Sequence, residues 1–267
     1  MNASRCRTDF VAAYTARAPL ALAFERILEC KLLAAETIEP PILDLGCGDG
    51  LFASVLFDQS IDTGIDPNIR ELDHAAKLGI YRELICCYGD VIPKPSDHYQ
   101  TVISNSVLEH IVDLEPVLRE AFRILAPGGA FYFTVPADNF EVWTVGNLVL
   151  SGLGLRKMAA RYRSRFNRFW KHHHAYSDAQ WELVVTKNGF HVKEVSRYDA
   201  PRVAVLNDCL IPFAVPALLL KKLTNRWVLS PGWRKLLLWP WLSLFECWLS
   251  PVRHSNGCLV FIKAIKP

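Results

Sequence analysis

Between residues 42 and 136 the chain alternates short apolar runs with helix-length segments, and that rhythm confines it to a small set of folds. ILDL (42–45), IDTGID (61–66), ELICCY (83–88), TVISN (101–105) and AFYFTV (130–135) read as five strands. Glycine, proline or aspartate punctuates each junction,. Helices are expected from near Gly50 through LFASVLF, over 68–79 and over 113–125,. Strands joined by helices of this length pair in parallel through right-handed crossovers. A further helix over 177–189, capped by Ser177 and stopped at Gly189, leads to two more strands, HVKEVSRY (191–198) and CLVFIKAI (258–265),. Residues 18–36 add an amphipathic helix before the first strand.

The first strand runs into LDLGCGDG, where Asp44 precedes glycines at 46, 48 and 50. Such a loop lets a ligand lie against the main chain, and the free N–H groups of the following helix are ready donors. The spacing is neither the register of dinucleotide sites nor a phosphate loop, which needs a following Lys-Ser/Thr. Asp66, 16 residues past Gly50, closes the second strand, where a carboxylate can accept from both hydroxyls of a ribose,. Asp90 is placed at the end of the third strand and can accept from an exocyclic amine.

Five motifs then occur in order. ILDLGCGDG, GIDPN, YGDVIP, SNSVLEHIVD and LREAFRILAPGGAFYFTVP resemble those of the class I S-adenosylmethionine-dependent methyltransferases. The resemblance implies a Rossmann-like, seven-stranded, mostly parallel α/β sheet with helices on both faces. It also implies S-adenosyl-L-methionine as cofactor. Gly46, Cys47 and Gly48 would line its methionine end, Asp66 its ribose, and Asp90 and Val91 its adenine. Asn105 and Ser106 would border the methyl region. Asp44 and Gly50 complete the cofactor set. His110, from the LEHI pattern, is the candidate catalytic residue. It is expected to shape the pocket more than to act as a base. Gln100 departs from the acid that usually precedes the fourth strand. Tyr14 and Tyr176 are expected to pack, and His172-His173-His174 lacks the spacing of a metal site.

The remainder divides into an N-terminal helical segment (1–41), a basic insertion (137–176) after strand 5, the rest of the core (177–200 and 255–267), and an insertion (201–254) between strands 6 and 7. The formal charge of +3 hides an asymmetry. Residues 151–175 carry seven Lys/Arg and no acid, and 201–254 carry seven against Asp208 and Glu246, so the body is acidic. That suits an anionic partner, a membrane surface or a phosphorylated acceptor. Five of the eight tryptophans (227, 233, 239, 241 and 248) fall in the second insertion beside leucines and prolines. This pattern predicts in-plane helices at a membrane interface or a cap packed on the fold, Pro212 and Pro216 interrupting any clean span. No Asn-Pro-Pro-Tyr-like motif follows strand 4, which argues against nucleic acid. The eight cysteines lack CxxC spacing and read as reduced packing residues, Cys86 and Cys87 in a buried strand,. MNASRCRTDF lacks the apolar core of a leader, so the expectation is a cytoplasmic body, peripheral at the inner face of a membrane,.

The functional expectation is therefore methyl transfer to a small or lipid-like acceptor. A soluble natural-product methyltransferase with the second insertion as lid or dimer interface, and a non-catalytic cofactor-binding module, are the alternatives.

Overall fold

The computed structural model describes residues 6–224 and 226–267. The first five residues of the decapeptide read for a leader lie outside that range. Seven strands form one sheet in the order β3-β2-β1-β4-β5-β7-β6. They are β1 (Ile42–Leu45), β2 (Ile61–Ile65), β3 (Tyr81–Ile85), β4 (Tyr99–Asn105), β5 (Leu125–Pro136), β6 (His191–Tyr198) and β7 (Leu259–Ile265). β7 runs antiparallel to both β5 and β6, and β1 to β5 pair in parallel. This is the expected Rossmann-like α/β arrangement.

Period-2 alternation sends successive β5 side chains to opposite cores. Phe131 and Phe133 join the core under α5 (Leu114–Ile124) and α8 (Asp178–Lys187), with Trp181 fully buried at its centre. Tyr132 joins the opposite core beneath α1 (Phe10–Arg17), α2 (Leu20–Ala34) and α3 (Leu51–Leu56). α8 begins with the expected Ser177 cap, completed by Gln180 into a capping box,. α4 (Ile69–Leu78) closes on Gly79 in the left-handed region,.

Three details differ from the sequence reading. β3 is an edge strand that stops at Ile85, so Cys86 is exposed and Cys87 half-buried rather than packed in a strand. Asp90 consequently sits in a turn five residues beyond the strand, not at its end. Pro212 and Pro216 do not interrupt the second insertion. They lie inside one continuous helix, α9 (Pro201–Thr224), long and apolar enough by composition to cross a membrane.

The two insertions form a roof over the carboxyl ends of the strands. α6 (Val145–Gly152) and α7 (Arg156–Trp170) pair as one hairpin. α9 lies along α2, with Val203, Leu206 and Leu210 buried or half-buried against that core. α10 (Pro231–Leu238) packs on α1, and Phe245 of α11 (Leu242–Trp248) meets Phe24 of α2 at 5.1 Å between ring centres. The second insertion is thus half integrated. Its inner face completes the core, while its outer face is solvent-exposed.

Candidate active site

The loop after β1 adopts the conformation that only its glycines permit. Gly46, Gly48 and Gly50 have φ of +78°, +52° and +73°. A Cβ on Gly46 would stand 2.5 and 2.7 Å from the Val107 methyls, whereas one on Gly48 would meet nothing within 4 Å. The chain therefore turns tightly at Gly46 and leaves open space over Gly48, the shape a ligand resting on the backbone needs. Gly46 and Cys47 both donate their N–H to the Ile65 carbonyl at 2.9 Å, which ties the loop to the end of β2.

Asp66 lies one residue past β2 and comes to the same place. Its carboxylate accepts from the Gly48 N–H at 3.1 Å and from the Asn68 N–H at 2.8 Å. Half-burial raises its pKa, and those two bonds oppose the rise,. Asp44 stands near enough to Asp66 for their charges to repel. It is buried within β1, accepts from the Tyr81 hydroxyl at 2.6 Å, and is pushed up to about 6 by desolvation. It braces the floor of the loop. Cys47 is buried beside it, its thiol raised by desolvation. Asp90 and Val91 stand exposed in the turn after β3.

Asn105 and Ser106 close β4 and enter a network that the sequence reading missed. Glu29, fully buried on α2, accepts from Arg26 Nη1 at 2.8 and 2.6 Å, from Asn105 Nδ2 at 2.9 Å and from the Tyr198 hydroxyl at 2.9 Å. Arg26 also donates to Ser106 Oγ at 2.6 Å. The signal was present as Glu25-Arg26-x-x-Glu29, charges placed among the apolar positions of an amphipathic helix, where only an internal pair is tolerated,.

Ser106 borders a cavity of about 460 Å³ bounded by α2, α7 and α9. His110 lines it half-exposed, with Nδ1 3.3 Å from the Lys171 carbonyl and Nε2 3.7 Å from Glu109 Oε1. Desolvation lowers the pKa of His110, and that of His172 to about 4. Of the three consecutive histidines only His172 reaches the cavity. His173 donates its backbone N–H to Glu109, and His174 bonds Tyr176 and the Ile111 carbonyl. Among the described residues no group of three His, Cys, Asp or Glu side chains is placed to hold a metal. Tyr14 is buried in the core and Tyr176 packs on Trp181, as expected.

The roof also touches the glycine loop. Lys221, near the end of α9, is 2.8 Å from Asp49 and 3.1 Å from Glu71, while Trp227 Nε1 donates to Asp49 at 3.1 Å. Trp227 lines the cavity as well, so one side chain touches both the loop and the cavity.

Burial pushes the Glu109 carboxyl up to about 8. The folded state then holds this proton more tightly than the unfolded chain. The stabilisation is complete below the ordinary carboxylate pKa and is lost as pH rises through 8,. The His172 shift acts on the acid side, below about 6.5,. Between about pH 7 and 9, therefore, the melting temperature should fall by roughly 2–4 °C from this carboxyl. Glu109→Gln should remove that share of the slope in differential scanning calorimetry. An unchanged slope would show that Glu109 does not titrate in the folded chain.

A methyltransferase domain family model matches residues 14–195. A ubiquinone biosynthesis O-methyltransferase of Yersinia pestis is 27% identical over 114 residues, 39% of this chain. The match spans 46% of that relative's length, so the chain covers about half of the curated relatives it matches. A solved SAM-dependent methyltransferase of Thermotoga maritima superposes with a TM-score of 0.57 at 16% identity, covering 93% of this chain and 92% of the other. A geranyl diphosphate C-methyltransferase of Streptomyces coelicolor gives 0.50 at 15% identity, covering 85% and 70%. At those identities the two structures are shared folds only. With the family model spanning the glycine loop, Asp66 and the β4 end, the chain belongs to the S-adenosylmethionine-dependent methyltransferases.

Proposed function

We propose that this enzyme methylates a lipid-like acceptor that enters from an anionic membrane surface. The observation that carries the reading is the rim of the cavity. Phe169, Trp170, Val215 and Leu218 line the cavity and are at the same time exposed on the outer faces of α7 and α9. The cavity thus opens at an apolar rim, and Phe213, Leu219, Trp233 and Trp239 add further exposed apolar side chains on the second insertion. Soluble surfaces seldom leave patches of this kind uncovered, and a bilayer covers them. The basic charge is placed to match. Arg156, Lys157, Arg161, Arg165 and Arg168 stand exposed on α7, and among the described residues no acid pairs with them. In the second insertion, by contrast, Lys221, Arg202, Arg234 and Arg253 are engaged within the fold. Anionic headgroups would meet α7, with the apolar residues of α9 to α11 dipping beside it.

S-adenosylmethionine supplies a methyl group on a sulfonium, already a strong electrophile. The chain's part is to hold donor and acceptor in line and keep water out. In this reading Gly46, Cys47, Gly48 and Gly50 cradle the methionine end and Asp66 takes the ribose hydroxyls. Asp90 and Val91 flank the adenine, and Asn105 and Ser106 face the methyl. His110 shapes the acceptor side. A second reading rests on the Lys221 and Trp227 contacts to Asp49. They make α9 a lid over the glycine loop in an enzyme that works without a membrane.

Flotation separates the two. The chain should float with phosphatidylglycerol vesicles and not with purely zwitterionic ones. Phe213→Glu/Trp239→Glu, both on the outer face, should reduce flotation at least about fivefold without lowering the melting temperature,. A chain that stays at the bottom of the gradient with anionic vesicles belongs to the lid reading.

A further inference from the structure

We infer that the polar end of the acceptor, where it enters the cavity, is an uncharged hydroxyl-bearing group and not a phosphate or carboxylate. This rests on the cavity being the acceptor site, as proposed above, and on the balance of charge and hydrogen bonding along its wall.

Arg26 is the one Arg or Lys among the lining residues. Its guanidinium is matched by Glu29 at 2.6 Å and Glu25 at 3.6 Å, and it donates to Ser106 besides. Four carboxyl groups line the cavity against it: Glu25, Glu109, Asp199 and Asp208. His110 and His172 add no positive charge near neutral pH, since desolvation lowers both. An anionic group entering here would meet no free cation to balance its charge. The cations of α7 lie outside the lining set and serve the exterior.

The unpartnered atoms name the complement. Glu109 Oε2, Asp199 Oδ1 and Asn207 Oδ1 are buried oxygens without a hydrogen-bond partner, and all three belong to lining residues. Glu109 and Asp199 are 2% and 1% exposed. A buried polar atom left without a partner costs about 1–3 kcal/mol, so a ligand is favoured that supplies a donor to Asn207 Oδ1 and an acceptor to the protons that burial holds on Glu109 and Asp199,. Trp143 Nε1, also lining and unpartnered, needs an acceptor too. An ammonium group offers donors only. A hydroxyl offers both, and so satisfies the whole set. The rest of the wall, Leu22, Phe140, Phe166, Ile211 and Val215 among it, suits a hydrocarbon body,.

The test uses three probes with one tail on the full chain saturated with S-adenosylhomocysteine: 1-O-dodecylglycerol, dodecyl phosphate and dodecylammonium. Each is titrated below its micelle concentration by isothermal calorimetry. The glycerol ether should bind at least about tenfold more tightly than the phosphate and more tightly than the ammonium. Asn207→Leu should weaken the glycerol ether about fivefold while S-adenosylhomocysteine binding stays unchanged. Phosphate binding equal to or tighter than the ether overturns the inference. So does a preference for ammonium, an Asn207→Leu variant of native affinity, or a cofactor-saturated chain that binds no probe. Vesicle flotation is a separate assay, so failure of the membrane reading would be seen apart from failure of this one.

Discussion

Gly46→Ala should all but remove cofactor binding and lower the melting temperature by roughly 4–15 °C. Two costs add at one atom. An alanine at φ +78° sits in the left-handed region, disfavoured by about 1–2 kcal/mol,. Its Cβ would also stand 2.5 and 2.7 Å from the two Val107 methyls, overpacking that costs about 1–3 kcal/mol,. Val107 follows Ser106, itself at φ +52°, so the β4 end cannot swing away without moving the cavity wall that Ser106 lines. The double variant Gly46→Ala/Val107→Ala decides the cause. It deletes both methyls and leaves the Val107 Cβ 3.1 Å away, so the overpacking share should be recovered and the backbone share should remain,. Calorimetric titration with S-adenosylhomocysteine and a thermal melt read the two quantities. Native binding by Gly46→Ala would show that the loop does not hold the cofactor in the turn described.

Asp66→Ala should weaken S-adenosylhomocysteine by about 100-fold or more. Hydrogen bonds to a charged acceptor contribute about 1.5–3 kcal/mol each, and a ribose offers two hydroxyls. The substitution also frees the Gly48 N–H from its bond at 3.1 Å, so the loop keeps only the Gly46 and Cys47 bonds to the Ile65 carbonyl at the end of β2. Asp66→Asn keeps the shape and one acceptor oxygen but not the charge, and should fall between the two. Equal affinities for all three chains would take Asp66 out of the site.

Both predictions concern residues legible from the sequence, for a reason. The strand, the glycine turn and the carboxylate after the next strand are local patterns, and a parallel sheet with β1 beside β2 brings their ends together. The parallel pairing of β1 to β5 follows from the same βαβ rhythm,. What escaped is long-range or depends on packing. Glu29 is 76 residues from Asn105 and 169 from Tyr198, and no spacing rule links them. Asp90 was placed on β3 because ELICCY is apolar, but β3 is an edge strand with few neighbours, and pairing with β2 ends at Ile85. Pro212 and Pro216 were read as breaks, yet α9 lies on α2, whose packing holds the helix across both prolines,. The basic composition of the two insertions looked alike in sequence. Only the fold shows that the second engages four of its seven cations internally, while the first presents most of its cations outward.

The second insertion leaves the sheet at Tyr198 and comes back at Leu259, and these two residues are paired neighbours. Sixty residues thus leave and rejoin the sheet at one pair of neighbours. The entropic cost of closing such an excursion grows only with the logarithm of its length, about 0.6 kcal/mol for each doubling. Another segment with the same inward apolar face could be grafted there while β6 and β7 keep their register. One wall of the cavity is then exchangeable on a constant sheet, and a chimera carrying a different insertion between Tyr198 and Leu259 should keep S-adenosylhomocysteine binding while the shape of that wall changes.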